Sequence, residues 1–387
     1  MKIAHVVPAL TKGGGEKVAA ELANHASRAG HKITMIVGWP VDPSLLRDKL
    51  LTDVKVVCVS KKLRSRIGRY FVLILWFWKN RELLGRQDII HCHLSYGLMF
   101  GFLVSLWRTI SRTRGPAILQ TNHSVGAPVS NLRLWLQSFL TKKSDALALI
   151  AEDDYWSSFE KKHPKILTKV ICNGISTPNK VTTSESKKDL YRQQFGIPDH
   201  CKLVVGAVGR MTADREPWIY LPVFKKIAKE FGPGVHFLLA GGGPELDRMR
   251  SLAIEHNLEE QVHFPGEVKE PIKALAVMDL YISINVGSIT GLAGMEAAMF
   301  GVPVIAMQWK RGYIATPNDW IWSSTNQSDV AQCSCDLLAS KKSRDVMAHQ
   351  QKSYVQLHHT IDAMANSYYD LYKAMLLGRK NSTIDAT

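Results

Sequence analysis

Most of the signals that place a chain at once are missing from these 387 residues. Six cysteines (Cys58, Cys92, Cys172, Cys201, Cys333 and Cys335) fall without framework spacing, which excludes a disulfide-built fold. Cys333 and Cys335 lack partners at metal-ligand spacing, so no metal site is expected there. No secretory leader is expected, because Lys2 leads straight into the strand-like run IAHVVPAL. A reduced, cytoplasmic setting is the expectation. The apolar block 70–78 is nine residues long, far short of the roughly 18 that cross a bilayer. The first turn carries Gly13-Gly14-Gly15 but not G-x-G-x-x-G, which argues against a dinucleotide site. No zinc-finger or recognition-helix signature accompanies the basic charge, so nucleic acid is not an expected partner.

Acidic residues are scarce on one side only. Residues 1–180 hold 27 Lys and Arg against 12 Asp and Glu, whereas residues 181–387 hold 22 of each. The whole net charge of +15 therefore belongs to the N-terminal half. Such a half suits an anionic membrane face or an anionic small molecule. Residues 61–86 read KKLRSRIGRYFVLILWFWKNRELLGR, with cations on either side of the apolar block. This suits an interfacial helix whose expected membrane contacts are Lys61, Lys62, Arg64, Arg66, Arg69, Trp76 and Trp78. A core helix with solvated cations is the plainer alternative, and the two are compatible.

What is present is a βα rhythm, stated twice. Strands are expected at 2–8, 31–38, 54–59, 117–123 and 146–151, with 169–174 closing a first domain. A helix at 16–29 follows the triple glycine, which permits close backbone approach to an anion or makes a tight turn. His91 and His93 stand two apart near a strand end. They are read as pointing to opposite faces, hence as a poor metal pair, with one toward a cleft. His123 ends a parallel strand, the usual ligand edge of such a sheet. A Ser/Thr/Lys-rich stretch near Pro178 reads as a linker. A second series then runs through 202–209 and 235–240. It ends in the strand–loop–helix–Gly–strand unit of 281–306, YISINVGSITGLAGMEAAMFGVPVIA. The helix in that unit starts at Gly291 with no bulky side chain, and its free N–H groups suit a phosphate. Glu296, about one and a half turns in, can accept from hydroxyls of the same ligand, or is simply solvated.

Seven segments stand in the order found in the family-4 glycosyltransferases: VVPALTKGGGEKVAAELA, DIIHCHL, ICNGI, GAVGRMTADRE, FLLAGGGPEL, HFPGEV and GLAGMEAAMFGVPVIA. The chain resembles that family over nearly its whole length. The resemblance implies an α/β protein of the GT-B fold, two Rossmann-like doubly wound domains facing a central cleft. The C-terminal helix would cross back to the N-terminal domain. It implies an acceptor-binding domain at 1–178, a linker at 179–200, a nucleotide-sugar domain at 201–360, and a helix and tail at 361–387.

The resemblance also implies roles. Arg210 and Arg215 match the family's cationic pair, with Arg215 in place of the usual Lys, and would hold the donor diphosphate. Glu296 matches the carboxylate that holds the donor ribose. Gly266, Glu267 and Val268 would hold the base. Gly14 and Gly15 would meet the phosphates, and His123 would lie by the reacting sugar. Ser288, Thr290, Gly291 and Leu292 complete the expected donor pocket. One departure is clear: Ser288 stands where the family has the first Glu of E-x7-E, which puts the contact to the donor hexose in doubt. Lys310 or Arg311 would compensate near the diphosphate.

These matches imply a retaining hexosyltransferase using a UDP- or GDP-linked sugar, with no cofactor and no metal requirement. Its acceptor would be a lipid-linked or lipid-anchored glycan at the inner membrane face, in bacterial cell-surface polysaccharide or lipopolysaccharide synthesis. Alternatives are a non-catalytic sugar-nucleotide-binding subunit, which the missing Glu favours, and a sugar-nucleotide epimerase, which needs no acceptor.

Overall fold

The computed structural model describes residues 1–10, 13–39, 50–60, 65–123, 130–176, 185–285, 291–308 and 320–384. The chain divides into two compact units, Met1–Ser176 with Thr360–Thr387, and Thr177–His359.

The first unit is built on β1 (Lys2–Val7), β2 (Lys32–Val37), β3 (Lys55–Cys58), β4 (Ile89–His93), β5 (Ala117–Asn122), β6 (Ala146–Leu149) and β7 (Leu167–Val170). All pair in parallel, in the order β3-β2-β1-β4-β5-β6-β7. The order reverses between β1 and β4, where such sheets open a crevice beyond the strand ends. The connecting helices are α1 (Gly14–Arg28), α2 (Arg66–Lys79), α3 (Arg81–Gly85), α4 (Leu94–Ser111), α5 (Asn131–Thr141) and α6 (Asp154–Lys162). Side chains start three of them: Ser65 accepts from Gly68 N, Ser130 from Arg133 N and Asp153 from Trp156 N. Leu73 and Phe77 of α2 pack with Phe100 and Val104 of α4 over the sheet.

The second unit carries α7 (Glu185–Gln194), β8 (Leu203–Val208), α8 (Tyr220–Phe231), β9 (Val235–Ala240), α9 (Leu246–Glu255), β10 (Val262–His263), α10 (Pro271–Val277) and β11 (Leu280–Asn285). It continues with α11 (Leu292–Phe300), β12 (Val304–Gln308), β13 (Trp322–Ser324), α12 (Gln327–Ala339) and α13 (Lys341–His358). Its parallel sheet runs β10-β9-β8-β11-β12-β13, the same order as the first six strands of the other. Part of the stretch expected to be linker is helical, since α7 packs on α10. The short β13 was not legible in the sequence.

A last helix, α14 (Ile361–Ile384), returns to the first unit and packs on α1. Ile175 and Thr360 bridge where the chain leaves and re-enters. A Cβ on Gly174 would collide with the Thr360 carbonyl, which requires glycine there. Tyr368 and Tyr372 of α14 are wholly buried against the sheet.

Candidate active site

In the first unit the expected residues meet at the C-terminal ends of β4 and β5. His123 lies just past β5, and a Cβ on Gly15 would come within 3.3 Å of its ring and 3.1 Å of Leu94 Cδ2. Gly15, at the start of α1, thus lets the helix close on His123. Gly13 is the cap residue, and a Cβ there would collide with the Glu16 carboxylate, so that carboxylate reaches back over the first turn. The chain passes from β4 into α4 through Leu94 at φ 61°, a left-handed conformation that costs a branched residue energy. A cavity of about 90 Å³ opens here, lined by Leu94, Ser95, Asn122, His123, Arg133 and Gln137 among others.

His91 and His93 do not point apart. Side chains alternate along a strand, so residues two apart share a face. The two rings lie 4.0 Å apart between centroids, and neither residue is exposed. His5 of β1 joins them: its Nδ1 lies 3.1 Å from His93 Nε2, and His93 Nδ1 lies 3.0 Å from His123 Nε2. His91 bonds to the Tyr372 hydroxyl (2.7 Å) and to Thr121 Oγ1 (2.6 Å), and Thr121 in turn to Tyr368 (3.2 Å). Burial disfavours the charged imidazole. It lowers His5 to about 3 and His123 to about 4, and holds His91 and His93 well below the usual range. His5, Thr121, Tyr368 and Tyr372 were not singled out from the sequence. The available signal was a His in β1 together with H-x-H in β4.

In the second unit, β8 runs into Gly209 and Arg210, both exposed, and Arg215 follows one short turn later. Two loops interlock to hold this turn. Gly209 N donates to Ala240 O (3.0 Å) and Met211 N to Gly242 O (2.9 Å). Gly241 sits at φ 157°, and a Cβ on it would collide with the Gly209 carbonyl oxygen. Gly243 meets the Met211 carbonyl in the same way, and these close crossings of backbone are why both positions are glycine. Burial pushes the Asp214 carboxyl up, but the Thr212 hydroxyl and the charges of Arg210 and Arg215 outweigh it and hold the carboxyl low. Arg215 Nε lies 3.9 Å from Asp214 Oδ2, and the Arg210 charge acts on the same carboxylate.

Gly242 faces Glu267, with 3.3 Å from its Cβ position to that of Glu267, so Gly266, Glu267 and Val268 border the same loop cluster. Glu296 is half-buried on α11; the Tyr281 phenol, which accepts from Val208 N at the end of β8 (3.2 Å), is raised first by its own burial and then by the Glu296 charge. Gly291 caps α11, Leu292 is its first residue, and nothing among the described residues crowds Gly291. Ser288, Thr290, Lys310 and Arg311 lie outside the described residues, as do Lys61, Lys62 and Arg64. Of the other expected membrane contacts, Arg69 lies over the Trp39 ring (4.4 Å), Trp76 packs on Phe100, and Trp78 is exposed. Among the described residues no helix is long and apolar enough to cross a membrane.

Comparison with known proteins agrees with this layout. A family model described as Glycosyltransferase Family 4 matches residues 12–178, and one described as Glycosyl transferases group 1 matches residues 202–340. The O-antigen biosynthesis glycosyltransferase WclY of Escherichia coli is 26% identical over 238 residues, 58% of this chain and 62% of that protein. The chain thus spans less than two thirds of the length of the curated relatives it matches. HepE of Anabaena, solved with UDP and glucose, superposes with a TM-score of 0.76 at 17% identity, covering 97% of this chain and 100% of that one. WaaG, a glycosyltransferase involved in lipopolysaccharide biosynthesis, superposes at 0.63 with 15% identity, covering 94% and 98%. Both have the GT-B fold that the two parallel-sheet units of this chain adopt. With one family model on each unit and this fold beneath them, the chain belongs to the family-4 glycosyltransferases.

Proposed function

We propose that the chain moves a hexose-type sugar from a UDP- or GDP-linked donor to a lipid-linked or lipid-anchored glycan, with retention. The setting is bacterial cell-surface polysaccharide or lipopolysaccharide synthesis at the inner face of the membrane. The observation that carries this is the pair of exposed guanidiniums, Arg210 and Arg215, on a loop fixed by glycine crossings at the switch point of the second sheet. A departing nucleoside diphosphate gains charge as the glycosidic bond breaks, and preorganised cations stabilise that charge. The start of α11 adds N–H groups toward the same edge. No metal is required in this scheme. A front-face path needs no protein nucleophile, and the departing phosphate takes the acceptor proton. The names of WclY and WaaG and the ligands of HepE support the substrate class. Release of nucleoside diphosphate from a donor panel, with and without membrane extract, tests the reading. Donor binding with no release under any acceptor would instead favour the non-catalytic subunit, the reading that Ser288 supports.

Membrane docking belongs to the same proposal. The outward face of α2 is apolar rather than polar, with Phe71 62% and Leu75 56% exposed. The helix α4, which packs on α2, and α5, which packs on α4, also expose apolar residues: Ile110, Leu132 (73%) and Trp135 (58%). Cations beside such a face favour an anionic leaflet.

A further inference from the structure

Three imidazoles cross the first sheet in a line: His5 on β1, His93 on β4 and His123 past β5. His5 stands in register with His91, and His93 with Thr121, so each step moves toward the C-terminal edge. The nitrogen pairs at 3.1 Å and 3.0 Å make two N–H···N bonds. A neutral imidazole has one N–H, so the two bonds must run in the same direction. Either every ring carries its proton on Nδ1, or every ring carries it on Nε2. The outer atoms of the line, His5 Nε2 and His123 Nδ1, have no hydrogen-bond partner among the described residues. His5 is fully buried, and an N–H there would be stranded. His123 Nδ1 is buried too, so either form leaves one N–H without a protein acceptor. Only the one on His123, which lines the cavity, can be met by a bound hydroxyl, so the Nδ1 form is the one that a ligand can satisfy. The line ends at the cavity wall, where His123 sits with its remaining nitrogen uncommitted.

We propose that His93 and His5 are positioning residues that lock His123 as its Nδ1–H tautomer, so that it meets the sugar as a fixed, uncharged hydrogen-bond donor and not as a base. This rests on the reading that His123 adjoins the reacting sugar. The buried end offers no exit for a proton, so the line stores an orientation rather than conducting. Burial of all three rings supports a neutral line. The other titratable groups facing it are His91 on β4 and Tyr368 and Tyr372 on α14. His91 is held by hydroxyls at both nitrogens, which keeps it out of the line. His5, His91 and His93 also lie close enough together to ligate a metal ion, but both nitrogens of His91 and of His93 already have protein partners.

Selective ¹⁵N-histidine labelling of the full chain reads the tautomers directly, with His5→Phe and His123→Asn assigning the signals. His123 is expected to show a protonated Nδ1 and a bare Nε2, unchanged between about pH 5.5 and pH 8. An Nε2–H form, or an imidazolium within that range, overturns the proposal. So does one equivalent of tightly bound zinc that shifts the His5 and His93 signals. In turnover, His93→Leu is expected to lower kcat on the order of 10- to 100-fold. His93→Gln, which keeps one donor and one acceptor, should restore most of it and the donor state of His123. Equal losses in both variants count against a tautomer lock. Unaltered turnover in His123→Ala removes the role at the sugar, while the labelling experiment still decides the lock itself.

Discussion

The two sheets share a strand order but keep their polar groups in opposite ways. The first draws four imidazoles inward toward the ends of β1, β4 and β5 and keeps them neutral by burial. The second sets two guanidiniums outward on a loop that glycine contacts hold still. One edge is made to hold shape without charge, and the other to hold charge without covering it. One strand order serves both, with the polar groups changed at the C-terminal halves of the strands and in the loops beyond them.

Acid should break the comparison most visibly. In the folded protein His5 titrates at about 3 and His123 at about 4, against about 6.5 unfolded. The unfolded chain therefore binds more protons below about pH 6.5, so stability is full above that pH and falls as pH drops toward the folded values. At pH 5 the loss is about 2 kcal/mol per buried histidine, an order-of-magnitude figure. The second unit has His236 and His263 shifted the same way, fewer than the first, and should lose less. Hydrogen exchange followed by mass spectrometry reads each unit separately. Parallel loss of protection would erase the distinction.

Gly241→Ala attacks the second edge through its backbone. The left-handed conformation and the clash with the Gly209 carbonyl should cost at least about 3 kcal/mol in thermal or denaturant unfolding. Arg210→Ala probes the same loop without moving it. Its side chain is exposed, so melting should hold, while donor binding by calorimetry weakens by about 1.5–3 kcal/mol. An unchanged affinity would detach the guanidiniums from the donor. The smallest effect is expected outside both edges. Phe71→Ser and Leu75→Ser should each reduce pelleting with anionic vesicles by roughly 1 kcal/mol, with little change in turnover on a soluble acceptor analogue. Equal pelleting on neutral vesicles would refute the docking face.

The central strands of both sheets were legible because parallel strands buried on two faces read as continuous apolar runs, as in IAHVV and LVVGAV. The switch-point loops were legible because glycine and arginine stood where a sheet of this kind ends. The histidine line was not. It joins residues 5, 93 and 123, and only the strand order β1-β4-β5 makes them neighbours. H-x-H was misread because a period of two was treated as an alternation of faces. The exposed apolar face of α2 was half legible. The block was plain, but which of its residues face the core depends on α4, and it is Leu73 and Phe77 that do.

The return of α14 to the first unit has a consequence for synthesis. Residues 177–359 form a unit inserted within another, so the ribosome completes the second unit before it delivers Tyr368 and Tyr372 to the first. Until then the imidazoles of β1 and β4 lack their cover, and His91 lacks its Tyr372 partner. The usual order, in which the N-terminal domain finishes first, is thereby inverted. The nascent chain carries its first sheet unfinished until α14 emerges, and that helix closes the core that holds the first strand.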